Sequence, residues 1–444
     1  MKEADMNKKV LAFFLGTIIT IIPCFSAGGN LLIKNGTILT VTKGSLPKGD
    51  ILIVGGVIRQ IGENIEAPEG VRVIDASGKY VIPGIIDSHT HIALSGTNEM
   101  GEAITPEVNM SEVIQAEDLS IFTALSGGVT MVHTMHGSGN PIGGQNITLK
   151  MKWGRPAEEL IVPQAYKTLK FALGENPKQA SRPAFGGGSQ RYPASRMGVN
   201  AIIRKKLLEA KNYMLQWERY LEAKKSKNPP KTLFPPRKDL RLEALAELLR
   251  GNLLARCHSY RADESLEFID LSKEFGFKIA CFEHIPEAFK ITRELRREGI
   301  GISVFLDNWA YKVEASEGIA YSAAYCTRNG VLVSINSDGG ERIRRLFNDA
   351  GKAMKYGGLT EEEALKLITI NPAIQLGVEK IAGSLEVGKH GDVAVFNEHP
   401  LSAYTRCEMT IVEGDVYFDR NQYLKEREDA EKRGKDMKKP GGEK

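Results

Sequence analysis

The sequence predicts a (β/α)8 barrel that carries a small β-sandwich assembled from both chain ends. Three observations carry this prediction. Residues 83–382 alternate short β-rich runs with helical patterns, the signature of βαβ construction with a parallel sheet. Eight such runs fall within about 250–300 residues, the size of an eight-stranded barrel. Residues 29–82 and 383–420 hold strands and turns, with no helical periodicity between them.

The elements follow in order. Lys8 and Lys9 precede an apolar run, Val10 to Ile22, that ends at Pro23 and the small residues Ser26, Ala27 and Gly28. A basic start, an apolar stretch and small residues describe a secretory signal, so residues 1–28 are expected to be a signal peptide or N-terminal anchor. Export to the periplasm or the outside follows, with a membrane reached only through this segment if it stays uncleaved. Ile51 to Val54, Gly55-Gly56 and Val57 to Ile61 read as a hairpin on a glycine turn. The same style returns in Val393 to Phe396, and in Met409 to Val412 turning at Glu413-Gly414 into Val416 to Phe418.

The predicted barrel strands are Gly84–His91, Val129–Met135, Asn146–Lys150, Thr168–Leu173, Leu253–His258, Lys278–His284, Gly301–Leu306 and Val331–Asp338. Arg241–Leu249 is an amphipathic helix, and Thr360 with Glu363 forms a capping box ahead of a helix over Ala364–Ile370. Residues 174–239 break the rhythm as a Pro-, Gly- and Lys-rich insertion with a helical piece from Asn200 to Ala223. Following the fourth strand, it lies at the catalytic face of a barrel and is expected to act as a lid. Residues 421–444 are nearly all charged and read as a frayed or disordered tail.

Composition bounds the function. A chain of 444 residues with 42% hydrophobic and 26% charged residues builds a sizeable core, which excludes a disordered, collagenous or multi-span protein. Its 59 basic and 55 acidic residues leave +4, no argument for a nucleic-acid partner. Cys24, Cys257, Cys281, Cys326 and Cys407 are too scattered for a disulfide framework or a zinc ribbon.

The chemistry gathers at predicted strand ends. His89 and His91 stand two apart on a strand, so they project from one face, as two ligands of one metal must. His258 and His284 each close a later strand, and Asp338 closes the eighth, on the face opposite Val331, Val333 and Ile335. On Thr168–Leu173, Leu169, Phe171 and Leu173 share the apolar face, which leaves Lys170 towards a lumen normally packed with branched apolar side chains. Active sites of barrels sit at the C-terminal strand ends, where these residues collect.

This set resembles the amidohydrolase superfamily. The likeness rests on His89-Thr90-His91 after the first strand, His258 after the fifth, His284 after the sixth and Asp338 after the eighth. Residues 81–89 (Val-Ile-Pro-Gly-Ile-Ile-Asp-Ser-His), 139–145 (Gly-Asn-Pro-Ile-Gly-Gly-Gln) and 173–178 (Leu-Gly-Glu-Asn-Pro-Lys) are similar to its imidazolonepropionase-like and Xaa-Pro dipeptidase-like branch. So are residues 369–373 (Thr-Ile-Asn-Pro-Ala) and 383–389 (Gly-Ser-Leu-Glu-Val-Gly-Lys).

The resemblance implies a divalent metal, zinc foremost, that activates water for attack on a carbonyl or amidine carbon, with Asp338 as general acid and base. It implies that His89, His91 and Asp338 hold one ion, and that His258 and His284 hold a second when present. A carboxylated lysine or a glutamate of the fourth strand then bridges the two. Parity favours Lys170 for that role, proximity to the strand end favours Glu175, and a one-metal site needs neither. The expected substrate is a small molecule with a scissile C–N bond: a cyclic amide, an amidine or an N-acyl amino acid. An Xaa-Pro-type metallodipeptidase is the rival enzyme, and a catalytically silent barrel scaffold the rival from another class. Arg261 is a candidate for holding a substrate carboxylate and His133 for touching substrate, each against a plain structural role. Cys257 should face the core, and His390 and His399 the surface. A homo-oligomer is left open.

Overall fold

The computed structural model describes residues 29–179 and 191–437; the expected signal segment lies outside them. The first and last strands build one eight-stranded sheet: β1 (Leu31–Leu39), β2 (Ser45–Val54), β3 (Val57–Gly62), β4 (Arg72–Asp75) and β5 (Tyr80–Pro83) come from the start. The sheet is completed from the other end by β14 (Val393–Phe396), β15 (Cys407–Val412) and β16 (Asp415–Asp419). The two ends meet where β5 pairs antiparallel with β14, Ala394 opposite Ile82. Alternating residues of strands far apart in sequence, Ile51, Ile53, Val81, Val393 and Ile411 among them, form one buried cluster. The hairpin glycines Gly55 and Gly56 take φ of +58° and +76°, which a two-residue turn between twisted strands requires.

The barrel strands are β6 (Ile85–Thr90), β7 (Val129–Thr134), β8 (Ile142–Lys150), β9 (Thr168–Ala172), β10 (Leu254–Ser259), β11 (Ile279–His284), β12 (Gly301–Val304) and β13 (Val333–Ile335). They are ordered consecutively from β6 to β13, and all eight predicted runs are strands. The seam between first and last is joined by the Asp338 amide donating to the His89 carbonyl at 3.1 Å and by the Ser88–Ser334 hydroxyl pair at 2.9 Å.

One strand departs from a uniformly parallel barrel. β8 runs antiparallel to both β7 and β9. The reason is chain length: only residues 135–141 separate β7 from β8, too few for the dozen or more that a parallel crossover needs. A second departure concerns parity. The β6–β7 register slips between Asp87 and Thr90, a bulge that turns Ser88 inward as well as His89, and the Ser88 hydroxyl meets Ser303 and Ser334.

Helices cover the barrel. Leu240–Leu249 is capped by Asp239, and Ala262–Phe275 ends on Gly276 with φ +82°. The capping box forms, but its helix spans Glu361–Lys366 and a new one begins at Ile370–Leu376. Pro372 has no N–H to carry a single helix through that stretch. Within the insertion, Arg196–Lys225 is one helix that buries Ile203, Leu207 and Ala210. It lies along Ala262–Phe275, with Asn200 bonded to Glu267 and Arg204 paired with Glu274. The body of this helix therefore belongs to the outer layer; its first residue, Arg196, reaches the barrel mouth at Glu264 and Glu314. The charged tail begins as a helix, Arg420–Met437, whose Tyr423 packs 5.4 Å from the Phe122 ring.

The barrel and the sheet are joined by charge as well as by packing. Lys150, at the end of β8 and 3% exposed, donates to Asp392 and stands 3.6 Å from Glu413. His390 lies 3.2 Å from the same glutamate, so it is a half-buried member of this joint and not the surface residue its turn suggested. Among the described residues no helix is long and apolar enough to cross a membrane.

Candidate metal centre

The ends of β6, β9, β10, β11 and β13 bring His89, His91, Lys170, His258, His284 and Asp338 together. Asp338 is the hub: its Oδ1 lies 3.6 Å from His89 Nε2, 3.4 Å from His91 Nε2 and 3.6 Å from His284 Nε2. Donor atoms of His89, His91 and Asp338 all fall within 4.8 Å of one another, the spread of ligands around one ion. Lys170 Nζ is 3.2 Å from His89 Nε2. The His258 ring stands 5.0 Å from that of His284, which is 4.9 Å from that of His89.

Two of these positions depend on backbone that most residues avoid. His284 has φ +71° and Asp338 φ +58°, both left-handed. At His284 this break in alternation lets Glu283 and His284, consecutive in sequence, both enter the lumen. Asp tolerates the left-handed region better than most residues, which suits it to its position past β13.

The donor chemistry fits a divalent cation. His91 gives its Nδ1–H to the Met135 carbonyl at 2.8 Å, so its Nε2 is a bare acceptor. Both His258 nitrogens and His284 Nδ1 are buried with no hydrogen-bond partner among the described residues, a costly arrangement that ligation would relieve. Burial holds the imidazoles of His89 and His258 well below their ordinary value and brings His284 to about 4, so all three are neutral at pH 7, the form a cation would need. Burial also acts to raise Asp338, yet His284, His91 and His89 hold its carboxyl well below the usual range. Burial pulls Lys170 down to about 8, against the carboxylates of Glu283 and Asp338.

The remaining candidates separate. Glu175 starts a short helix at the rim, where its carboxylate is 4.0 Å from Lys312, outside the cluster. His133 is fully buried, and its two nitrogens bond the hydroxyls of Thr148 and Thr168, both at 2.9 Å. No nitrogen is left for substrate, so His133 is a strut between β7, β8 and β9. Arg261 turns to Asp263 in a paired contact of 2.9 and 2.6 Å, and its guanidinium is thereby engaged on the surface. Cys257 sits in the core, as expected.

Sequence reasoning missed a buried ion pair under the cluster. Arg256 Nε donates to Glu283 Oε1 at 2.7 Å, and neither side chain is exposed at all. Arg256 was legible by parity, two residues before His258; Glu283 was not, because strict alternation sets it opposite His284. The aromatic wall was missed too. Phe305 stacks on His284 at 4.4 Å and 13°, Tyr260 bonds Tyr311 through their hydroxyls, and the Lys312 ammonium lies 3.9 Å over the Tyr260 ring. Glu314, 1% exposed, ties this rim together by accepting from the Glu175 amide at 3.1 Å and from Arg196 at 3.0 Å.

Known proteins share this architecture. A profile of the amidohydrolase family matches residues 288–418. Amidohydrolase tasK of Hapsidospora irregularis is 28% identical over 397 residues, 84% of this chain and 40% of that protein. The chain thus spans about 40% of that curated relative's length. A Xaa-Pro dipeptidase solved with bound methionine is 18% identical with a TM-score of 0.56, over 88% of this chain and 100% of that one, a likeness of fold alone. An amidohydrolase from Thermotoga maritima MSB8 is 34% identical with a TM-score of 0.79, over 88% of this chain and all of that one. With 34% identity extending over all of that protein, the chain belongs to the amidohydrolase family.

Proposed function

We propose that the protein is a metal-dependent hydrolase that cleaves a C–N bond in a small molecule: a non-peptide amide, a cyclic amide or an amidine. The observation that carries this is Asp338, a carboxylate held ionised within reach of the His89, His91 and His284 imidazoles and 41% exposed at the mouth of a largely buried cluster. His89, His91 and Asp338 would hold a first divalent cation, and His258 and His284 a second, with Lys170 between them. Imidazole and carboxylate donors suit zinc. Such a cation supplies Lewis-acid polarisation of the substrate and a lowered pKa for coordinated water.

The chain's own residues supply the rest. Asp338 faces the opening, so it accepts the proton of the attacking water and returns it to the leaving nitrogen. His91 keeps Nε2 available because Met135 fixes its tautomer. Lys170, with its value near 8, presents a neutral amine in a useful fraction of molecules at mildly alkaline pH. That amine can add carbon dioxide with loss of one proton to solvent, and the resulting carbamate would carry one negative charge shared by two oxygens and could help hold the cations. Phe305, stacked on His284, and the Tyr260–Tyr311 hydroxyl pair line one side of the mouth.

A dipeptidase reading has one observation in its favour. The Lys312 ammonium stands at the rim over the Tyr260 ring, and a substrate carboxylate there would have to share it with Glu314 at 3.2 Å and Asn176 at 3.0 Å. A panel of cyclic amides, N-acyl amino acids and Xaa-Pro dipeptides, assayed with added zinc for ammonia, amine or proline release, separates the two. Turnover of a non-peptide amide or amidine that chelation abolishes supports the first reading. Proline release alone favours the second, and zinc-loaded protein inert towards every member would point to a silent scaffold.

A further inference from the structure

We propose that Glu283, held by Arg256, is the positioning residue that fixes the tautomer and ring orientation of His89. This rests on the reading that His89 is a metal ligand. Glu283 Oε2 lies 3.4 Å from His89 Nδ1, and neither atom has any hydrogen-bond partner among the described residues. Both side chains are fully buried, so water does not reach this contact. The opposite nitrogen, Nε2, faces Lys170 and Asp338 at 3.2 and 3.6 Å. A carboxylate can only accept, so its contact selects the Nδ1–H form and leaves the Nε2 lone pair directed into the cluster.

Arg256 anchors Glu283 in that place. Its Nε occupies Glu283 Oε1 at 2.7 Å, while its Nη2 donates to the Ser88 carbonyl at 3.1 Å, one residue before His89. The guanidinium therefore braces both the carboxylate and the strand that carries the ligand. The left-handed backbone at His284 and Ile285, φ +71° and +22°, is what admits Glu283 to the lumen beside His284. The four histidines differ accordingly. His91 Nδ1 donates to a carbonyl and His89 Nδ1 faces the Glu283 carboxylate at 3.4 Å, whereas both nitrogens of His258 and Nδ1 of His284 have no hydrogen-bond partner among the described residues.

Glu283→Gln is the discriminating substitution. Arg256 only donates, so it would claim the amide oxygen and turn the NH2 towards His89. Nδ1 must then accept, the proton moves to Nε2, and the face meant for the cation is blocked. Zinc affinity, measured by competition with a chromophoric chelator, is expected to fall about 10–100-fold. Because Gln leaves the buried Arg256 charge without its counter-ion, Arg256→Met with Glu283→Leu serves as a second variant; replacing a buried ion pair by apolar residues is often neutral for folding. The double variant is expected to melt near wild type yet lose zinc affinity to the same extent. Nitrogen-15 NMR of metal-free wild-type protein labelled at histidine, with the His89 signal assigned by His89→Asn, should show Nδ1–H and a bare Nε2. An Nε2–H tautomer in the wild type, or a folded variant that binds zinc as tightly as wild type, overturns the proposal. Wild-type protein that binds no zinc would instead refute the metal reading beneath it.

Discussion

Replacing Asp338 by Asn separates the chemistry of this residue from its structural role. The position has φ +58°, a left-handed conformation that Asn adopts nearly as readily as Asp, so the backbone is not strained by the change. Size and one carbonyl oxygen are kept. What is lost is the negative charge that three imidazole nitrogens face at 3.4–3.6 Å, and with it the proton acceptor. Removing a general base costs about 10²–10⁴-fold in turnover, or about 2.7–5.4 kcal/mol of barrier at 1.36 kcal/mol per decade. Asp338→Ala should lose as much activity and, in addition, about 1 kcal/mol of stability from the left-handed backbone. The assay is kcat and KM at saturating zinc on any substrate the panel yields, beside thermal melting of both variants. A folded, zinc-loaded Asp338→Asn protein with near wild-type kcat would refute the assignment of the base.

Three further expectations follow from the same geometry. Arg261→Ala should leave KM and kcat unchanged, since its guanidinium already engages Asp263 on the surface; a large rise in KM would return it to the substrate site. His133→Asn should destabilise the fold by about 1–3 kcal/mol by taking one hydrogen bond each from the buried Thr148 and Thr168 hydroxyls, of which Thr168 keeps Asn146, read by thermal or urea unfolding, and retain turnover in the folded fraction. Burial raises Glu413, but His390, Lys150 and Lys152 outweigh it and hold the carboxyl well below its ordinary 4.5. A depressed folded value means the joint is fully stabilised above about 4.5 and weakens as pH falls below it. Glu413→Gln should therefore be less stable than wild type at pH 7, with the gap closing in acid; a gap constant with pH would assign the joint's stability elsewhere.

Much of this was written into the sequence, and the misses have physical causes. All eight barrel strands were visible as short apolar runs, and the lumen position of Lys170 followed from simple alternation because β9 is regular. Alternation failed where the backbone breaks it. The bulge between Asp87 and Thr90 turns Ser88 inward, and the left-handed His284 brings in Glu283 as its neighbour. Both breaks lie beside proposed ligands, where a site that must converge several side chains departs from regular geometry. The antiparallel β8 was legible in principle, since the connection from β7 is too short for a crossover. The roles tried for His133 and Arg261 could not be excluded from sequence, because nothing in it announces the threonines and the aspartate that occupy them.

The central claim is that six residues from five strand ends form a centre able to hold two cations with Lys170 between them. Zinc content per chain, measured by mass spectrometry after loading with zinc and bicarbonate and removal of loosely bound metal, tests it directly. Two ions are expected in wild type, about one in Lys170→Ala, and two in Glu175→Ala, whose side chain stays at the rim. One ion in Glu175→Ala with two in Lys170→Ala would transfer the bridge to Glu175. Wild-type protein that retains no zinc would contradict the account at its root.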